Sequence, residues 1–225
     1  MTRAIVRGSL LATSAAFVLL ATPAQAQVEV TARGSTLGLG VDVGFRLAPQ
    51  LGLRVGGNML SFTRNEEVEG IPYRLRPDLE SFTGTVDLYP FGSVLHLSGG
   101  LVMNRNAARA DATIGSSITI GSQTYSNTEV QALGARLDWD KEVVPYAGIG
   151  FATGGRVGIA FEVGVMFSGT PEVALSGTTS LTGAQKTAFD QAVEDEEAEV
   201  RAWIDDNERF TKYYPVAALG LRFRF

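Results

Sequence analysis

The chain of 225 residues contains no cysteine and only one histidine. The lack of cysteine excludes disulfides, a thiolate metal site and the lipid anchor of a lipoprotein. A single histidine excludes a zinc site built from several histidines. We therefore expect no cofactor and no bound metal.

The sequence also lacks an uninterrupted apolar run of the roughly 20 residues that a membrane-spanning helix needs. The segment Val143–Phe167 is hydrophobic on average, but it contains six glycines together with Arg156 and Glu162. This composition is typical of two strands joined by a tight turn, here at Thr153-Gly154-Gly155. We interpret the segment as a β-hairpin.

Residues 1–26 have the features of an export signal. Arg3 and Arg7 form a basic start, an apolar stretch follows, and Ala24-Gln25-Ala26 has the small-x-small pattern that signal peptidase accepts. The apolar stretch is short for a membrane anchor. We predict a cleaved signal peptide over 1–26 and a single mature domain over 27–225.

Positive charge is scarce in the mature chain. Removal of the two arginines of the signal leaves 17 basic against 24 acidic residues, a formal charge of −7. Nucleic acids are bound by basic surfaces. The charge balance therefore argues against nucleic acid as a partner.

Apolar residues recur at every second position over long stretches. Between Leu37 and Leu47, six aliphatic or aromatic side chains alternate with glycine, aspartate and arginine. Successive strand residues point to opposite faces, so this segment has one apolar face and one small or charged face. Residues 51–56, 158–167 and 215–225 repeat the pattern. It fits a barrel whose exterior meets lipid and whose narrow interior is polar.

The alternation predicts an all-β fold, an eight-stranded antiparallel transmembrane barrel. The barrel must close, because hydrocarbon cannot form hydrogen bonds with the unpaired backbone groups of a free strand edge. The predicted strands are 27–33, 35–47, 51–64, 72–89, 93–107, 130–151, 156–175 and 211–225. Turns at Ala48-Pro49-Gln50, Phe91-Gly92-Ser93 and Thr153-Gly154-Gly155 are short, whereas the connections after strands three, five and seven are longer. This asymmetry and the even strand count predict both termini on the periplasmic side. The first pair, with a turn at Gly34-Ser35, has an alternative, in which 28–47 is one bent strand.

Two features are expected in the long loops. Ser117–Tyr125 predicts a minor hairpin around Gly121-Ser122. From Thr182 to about Asn207 the apolar spacing becomes helical, and Thr182 with Gln185 forms a capping-box pattern. The apolar stripe of this helical insertion, 182–207, is formed by Phe189, Val193, Val200, Trp203 and Ile204.

The predicted helix is strongly acidic, with eight acidic against two basic residues between 183 and 207. By strand parity it lies in the last long loop. We expect a rim helix with a solvated acidic face. The alternative is a surface that binds divalent cations or a partner protein.

The C-terminal run Tyr213–Phe225 alternates and ends in phenylalanine. It resembles the signature that the outer-membrane assembly machinery recognises, with Tyr213, Phe223 and Phe225 as its principal residues. With the export signal and the alternating strands, the mature chain resembles the superfamily of small Gram-negative outer-membrane β-barrels that includes the outer-membrane protein A and W types. The block Thr36–Arg46 and the helix resemble an uncharacterised proteobacterial subgroup.

The resemblance implies export through the periplasm, insertion into the cell outer membrane and a monomeric barrel. Its implied partners are outer-membrane lipid, lipopolysaccharide and the assembly machinery. The motifs that carry the resemblance specify membrane and assembly, and they imply no activity.

The alternation directs charged and tyrosine side chains into the bore. The predicted lumen network consists of Asp42, Arg54, Asp87, Glu162, Arg222, Tyr146 and Tyr214. Buried charges pair because an isolated one is costly, and an eight-stranded barrel is just wide enough for side chains. We expect a structural plug; the alternative is a gate whose ion pairs rearrange to pass small solutes.

His96 and Ser98 lie on one face of a predicted strand and form the candidate catalytic pair. A histidine can act as the base for a serine nucleophile, and the spacing resembles the His-x-Ser of the outer-membrane lipid A deacylase. However, the pair follows a periplasmic turn, points into the lumen and has no evident acid to orient the histidine. We expect a lumen hydrogen bond, and no enzyme.

Outward aromatic side chains are predicted at both edges of the barrel, as in the girdles of membrane proteins. Phe45, Phe151, Phe223 and Phe225 belong to the periplasmic edge, and Trp139 belongs to the outer edge. The leading hypothesis is a non-enzymatic outer-membrane barrel with a structural or surface-interaction role in the envelope. A narrow channel or carrier for small or apolar molecules is second, and a lipid A-modifying enzyme is third.

Overall fold

The computed structural model describes residues 27–68, 71–91, 94–207 and 212–225. The predicted signal peptide, and two positions of the predicted turn Phe91-Gly92-Ser93, lie outside the described residues. None of the helices formed by the described residues is both long enough and apolar enough to cross a membrane.

The described chain forms strands and a single long helix. In chain order these are β1 (Gln27–Ser35), β2 (Gly38–Ala48), β3 (Leu51–Ser61), β4 (Arg64–Val68), β5 (Ile71–Leu88), β6 (Leu95–Asn104), β7 (Ala107–Thr113), β8 (Ser117–Ile120), β9 (Gln123–Ser126), β10 (Val130–Trp139), β11 (Val143–Ala152), β12 (Val157–Met166), β13 (Pro171–Thr179), α1 (Gly183–Asp206) and β14 (Tyr214–Arg224).

Eight antiparallel strands close into a barrel, which confirms the predicted fold class. The circuit runs β1–β2–β3–β5–β6–β11–β12–β14. The pairing of β14 with β1, in register from Glu29 opposite Arg224 to Ser35 opposite Ala218, completes it. Closure leaves no free strand edge within the barrel wall.

Large apolar side chains cover the outside of the barrel. Leu39 is 61% exposed, and Ile159 and Leu221 are each 54% exposed. The alternate positions Asp42 and Glu162 are buried in the lumen. This inverts the arrangement of a water-soluble sheet, and it matches the lipid-facing exterior of a transmembrane barrel.

Glycines on the lumen face leave space where polar side chains of neighbouring strands lie against the wall. A Cβ added at Gly56 would meet Oδ1 of Asp42, and a Cβ added at Gly150 would meet the imidazole of His96. The glycines on the lumen face therefore leave room for the charged and aromatic groups of neighbouring strands, as the alternating pattern indicates.

The two ends of the barrel differ. One end, which we call the turn end, has the short connections 49–50, 89–94 and 153–156 and both ends of the described chain. The other end, the loop end, carries the connections that contain β4, β7–β10, β13 and α1. This distribution agrees with the predicted asymmetry of turns and loops.

The sheet of the barrel wall continues beyond the barrel at the loop end, and we call this continuation the loop sheet. The first half of β5 pairs with β4 on one edge and β7 on the other, and β10 and β13 follow. The predicted strands 130–151 and 156–175 are therefore wrong as single barrel strands. Each breaks, at 140–142 and 167–170, into one segment in the loop sheet and one in the barrel wall.

The loop hairpin agrees with its prediction, since β8 and β9 pair around Gly121-Ser122, with Gly121 at φ +59°. The chain then turns into β10 through Glu129. The backbone N–H and hydroxyl of Ser126 donate to the carboxylate of Glu129 and hold its pKa below the ordinary value.

Three local predictions are wrong. The first turn lies at Thr36-Leu37 and not at Gly34-Ser35, and Leu37 is therefore buried rather than lipid-facing. Thr182 is the N-cap of α1 but makes no side-chain capping bond, because Gly183 at φ +58° changes how the chain enters the helix. Trp203 of the predicted apolar stripe is 63% exposed.

Trp139 is also corrected. It is half-buried and packs edge-on against Tyr214, with ring centroids 6.2 Å apart, and does not face outward. Trp139 lies on the same face of β10 as Leu137. Strand β10 belongs to the loop sheet and not to the barrel wall, so this face is not turned toward lipid.

Adjacent glycines of β6 test the requirement for space on the lumen face. A Cβ at Gly100 would lie 2.7 Å from Cα of Thr85 and still closer to the carbonyl oxygen of Gly84, whereas a Cβ at Gly99 meets open space. We expect Gly100→Ala to destabilise the barrel by about 1–3 kcal/mol, as overpacking does, and Gly99→Ala to have little effect. Urea unfolding of the refolded protein in detergent micelles measures both, and equal stabilities would contradict the account.

Candidate functional site in the barrel lumen

Arg54 of β3 is the centre of a charged cluster in the lumen. Its Nε and Nη2 donate to the two carboxylate oxygens of Asp87, at 3.0 and 3.1 Å. Its Nη1 lies 2.6 Å from Glu162 and 3.6 Å from Asp42, and Nη2 also donates to Oγ of Ser98 at 3.0 Å. One guanidinium therefore joins side chains from β2, β5, β6 and β12.

Arg33 of β1 adds the second cation. Its Nη1 lies 3.1 Å from Oδ2 of Asp42, and its Nε donates to Asn58 at 3.2 Å. The cluster thus contains three carboxylates and two guanidiniums. Nε2 of His96 lies 3.6 Å from Glu162, as the next group able to carry positive charge. A set of close opposite charges is the arrangement that a low-dielectric interior tolerates.

An apolar layer covers this cluster toward the loop end. Tyr146 links the two, because its hydroxyl donates to Glu162 at 2.5 Å while its ring packs among apolar neighbours. The layer consists of Leu37, Val102, Val144, Tyr146, Met166 and Val216. Leu37, in the turn between β1 and β2, enters the bore from the loop end and is 1% exposed.

The side chains leave little free space in the bore. On the turn-end side of Arg54 a space of about 30 Å³ remains, and on the loop-end side one of about 10 Å³. Arg33, Arg54 and Glu162 line both spaces and stand between them. A water molecule needs on the order of 10–15 Å³, so the larger space fits about two waters and the smaller one at most one. The lumen is filled.

The seven predicted network residues do not form one network. Asp42, Arg54, Asp87, Glu162 and Tyr146 belong to the central cluster. Arg222 lies nearer the turn end, where Nη1 is 3.4 Å from Glu29 and Nη2 donates to the carbonyl of Thr153. Tyr214 lies at the loop end, half-buried, and its hydroxyl donates to the carbonyl of Thr36 at 2.7 Å.

The sequence prediction did not include Arg33, Glu29 or Asn58. Glu29, Thr31 and Arg33 alternate in β1, so period two in that strand was the available signal. Asn58 is 4% exposed and donates to Oγ of Ser81 at 3.1 Å. Period two in β3 indicates its lumen face, and the register of β3 places it opposite Gly40.

His96 and Ser98 are both buried in the lumen but do not form a nucleophile–base pair. Ser98 donates its hydroxyl proton to Oδ1 of Asp87 at 2.7 Å. The ring of His96 lies 5.3 Å from that of Tyr89, and neither of its nitrogens has a hydrogen-bond partner among the described residues. Ser98 is therefore hydrogen-bonded to a carboxylate and a guanidinium and not to His96.

The acidic residues of α1 divide into two groups. Glu196 accepts from the backbone N–H of Gly121, and Glu197 accepts from that of Leu175, at 3.0 and 2.7 Å. On the exposed surface, Asp190 pairs with Lys186, and Asp195 accepts a hydrogen bond from Gln191. Among the described residues, no three His, Cys, Asp or Glu side chains are grouped so that they could hold a metal ion.

The residues of the proposed assembly signal lie on the outer surface of β14 and just before it. Tyr213 is 48% exposed and packs edge-on against Phe167, and Phe225 is 78% exposed at the turn end. Phe223 also faces outward, as do the predicted girdle residues Phe45 and Phe151.

Comparisons with known proteins agree on the fold. Two crystal structures of Acinetobacter baumannii proteins are similar over nearly their whole length. CarO2 has a TM-score of 0.63 and 22% identity, covering 89% of this chain and 99% of that one. CarO has a TM-score of 0.62 and 22% identity, covering 88% and 97%. No family model matches the chain, and no curated protein sequence matches it. The fold defines an eight-stranded transmembrane β-barrel.

Arg54→Met tests the central cluster. It leaves three carboxylates beside Arg33 alone, and breaking a buried ion pair costs about 3–5 kcal/mol. Arg105→Met is the matched control, because Arg105 pairs with Glu80 and Glu142 while 50% exposed, and exposed pairs contribute about 0–1 kcal/mol. Urea unfolding in micelles gives both values, and an Arg54 variant as stable as the control would refute the role of the cluster.

Proposed function

We propose that the chain is a non-enzymatic β-barrel of the outer membrane with a structural or surface-interaction role in the cell envelope. The observation that carries the proposal is the filled lumen beneath a large loop-end assembly. The bore contains a charge cluster under an apolar layer, while the loop sheet, hairpin and α1 present their surfaces outside the barrel. Such a molecule is built to hold a surface module on a membrane anchor.

The exterior of the barrel supports the proposed location. Its apolar side chains need a hydrocarbon surrounding, and transmembrane β-barrels of this kind are typical of the outer membrane. Export through the periplasm by the segment 1–26, recognition of Tyr213, Phe223 and Phe225 by the assembly machinery, contact with lipopolysaccharide and a monomeric state belong to the same proposal.

The channel alternative requires the lumen to open. Arg54 would have to release three carboxylates, and Leu37 would have to leave the apolar layer. The lipid A-modifying alternative requires Ser98 to lose its bonds to Asp87 and Arg54 and to approach His96. It would also require both groups to reach lipid from within the bore. Neither rearrangement is favoured by the geometry of the site.

Planar-bilayer recording tests the filled lumen. We expect the refolded protein to show no conductance steps, because side chains occupy the bore, and a Leu37→Ala/Arg54→Ala variant to show them. Uniform steps in the unaltered protein that change in Arg54→Ala would instead support the channel.

The absence of cysteine allows a test of orientation in cells. Ser122→Cys places a thiol in the β8–β9 turn, and Gln50→Cys places one in the β2–β3 turn. We expect a membrane-impermeant maleimide to label Ser122→Cys in intact cells. Gln50→Cys should react only after the outer membrane is permeabilised. The reverse pattern, or equal labelling, would contradict the proposed location and orientation.

A further inference from the structure

The loop sheet has an apolar face that runs across four strands. In its central row, the register aligns Leu75 of β5, Ala110 of β7, Ala135 of β10 and Leu175 of β13. On these four strands the rows on either side are uncharged as well, with alanine at both flanking β7 positions. Two methyl groups between two leucines form the floor of a trough along the sheet.

Helix α1 covers part of this trough. Val193 and Val200 line it from the helix side. Two adjoining spaces, of about 560 and 220 Å³, share Ala110, Ala135 and Leu175 as lining residues. We call the pair the loop-sheet groove. Its size falls in the range of small-molecule sites, about 300–1,000 Å³.

The helix is fixed at the edge of the sheet and covers the groove only in part. Glu197 accepts from the backbone N–H of Leu175, and Nη2 of Arg201 donates to the carbonyl of Val173 at 3.3 Å. Both bonds join α1 to the outer edge of β13. Closing α1 over β7 would break them, so the alanine floor stays accessible.

The charge around the groove is polarised. Arg64 lies opposite Leu75 in the β4–β5 register, on the groove face, with its side chain 70% exposed. Arg76, Arg109 and Arg136 also line the larger space, and among the described residues no acidic side chain lines it, whereas Glu196 lines the smaller one. The neighbouring Glu66 pairs with Arg64 in solvent, where ion pairs are weak.

This combination specifies one kind of ligand. An apolar trough of limited volume suits a single alkyl chain and not a lipid with several. With Arg64 at the larger space and Glu196 at the smaller one, the groove suits a ligand whose anionic head group lies at Arg64. The alkyl chain of such a ligand removes apolar surface from water, which contributes about 0.8 kcal/mol for each buried methylene. Its carboxylate pairs with the guanidinium of Arg64, whose present partner, Glu66, is exposed to solvent.

We propose that the loop-sheet groove binds a free fatty acid, with the alkyl chain over Ala110 and Ala135 and the carboxylate at Arg64. This site lies outside the barrel lumen and is independent of whether the lumen conducts.

Equilibrium dialysis of radiolabelled decanoate tests the proposal, with the refolded full chain in phosphatidylcholine nanodiscs and protein-free nanodiscs as the reference for partition into lipid. We expect one saturable site per protein above the reference. Ala135→Phe fills the floor and should weaken binding roughly tenfold or more. Ala174→Phe, on the opposite face of the sheet, is the matched control and should bind as the unaltered protein does.

Each variant is first checked for folding by heat-modifiable migration on gels. Ala110→Phe replaces Ala135→Phe if the latter does not fold, since both fill the same floor. Arg64→Gln should weaken decanoate several-fold and leave decanol unchanged, which tests the position of the head group.

Four results would overturn the proposal. The first is no saturable decanoate above protein-free nanodiscs, and the second is equal binding by Ala135→Phe and Ala174→Phe. The third is a dimer in sedimentation that Ala135→Phe dissociates, since this would assign the groove to a second copy of the chain. If decanol binds as tightly as decanoate and Arg64→Gln changes neither, the fatty-acid assignment fails.

Discussion

The fold depends on the charges around Arg54 being paired inside the barrel. Arg54 contributes from β3 and contacts acids or hydroxyls of β2, β5, β6 and β12, so one guanidinium links five of the eight wall strands. None of these groups could face hydrocarbon, where an unpaired charge is prohibitively costly. Their mutual pairing lets the opposite face of these strands be apolar. Polar filling and lipid-facing exterior are therefore two consequences of one arrangement.

The glycines follow from the same arrangement. Two guanidiniums, three carboxylates and an imidazole occupy a bore that is only wide enough for side chains. The wall residues next to these groups must therefore lack a side chain, as Gly56 does beside Asp42 and Gly150 does beside His96. Glycine on the lumen face weakens each strand locally, and closure with charge pairing offsets that loss.

Much of this could be predicted from period two alone. The alternation gave the face of Asp42, Arg54, Asp87 and Glu162 correctly because register cannot slip by one residue without reversing every side chain. It could not show where a strand leaves the barrel, since β10 and β13 continue with ordinary strand residues. The polar breaks Asp140-Lys141-Glu142 and Ser168-Gly169-Thr170 were the available signals, and only the paired strands make them decisive.

Other failures were local. A shift of the first turn by two residues moved Leu37 from the lipid face to the top of the lumen, because a turn residue does not obey strand alternation. Which network residues meet depends on register between strands distant in sequence. Arg222 thus pairs with Glu29, 193 residues away. The loop-sheet groove could not be foreseen either, since its floor arises from alanines on two strands joined by a non-local pairing.

The central claim is that apolar residues clothe the exterior while paired charges fill the bore. Spin labels introduced singly by cysteine substitution at 157 to 163 of β12, in lipid bilayers, test it most directly. The account predicts that collisions with oxygen, which concentrates in hydrocarbon, alternate with period two. They should be high at 157, 159, 161 and 163 and low at 158, 160 and 162. High oxygen accessibility at 162 with low values at 159 and 161 would contradict it.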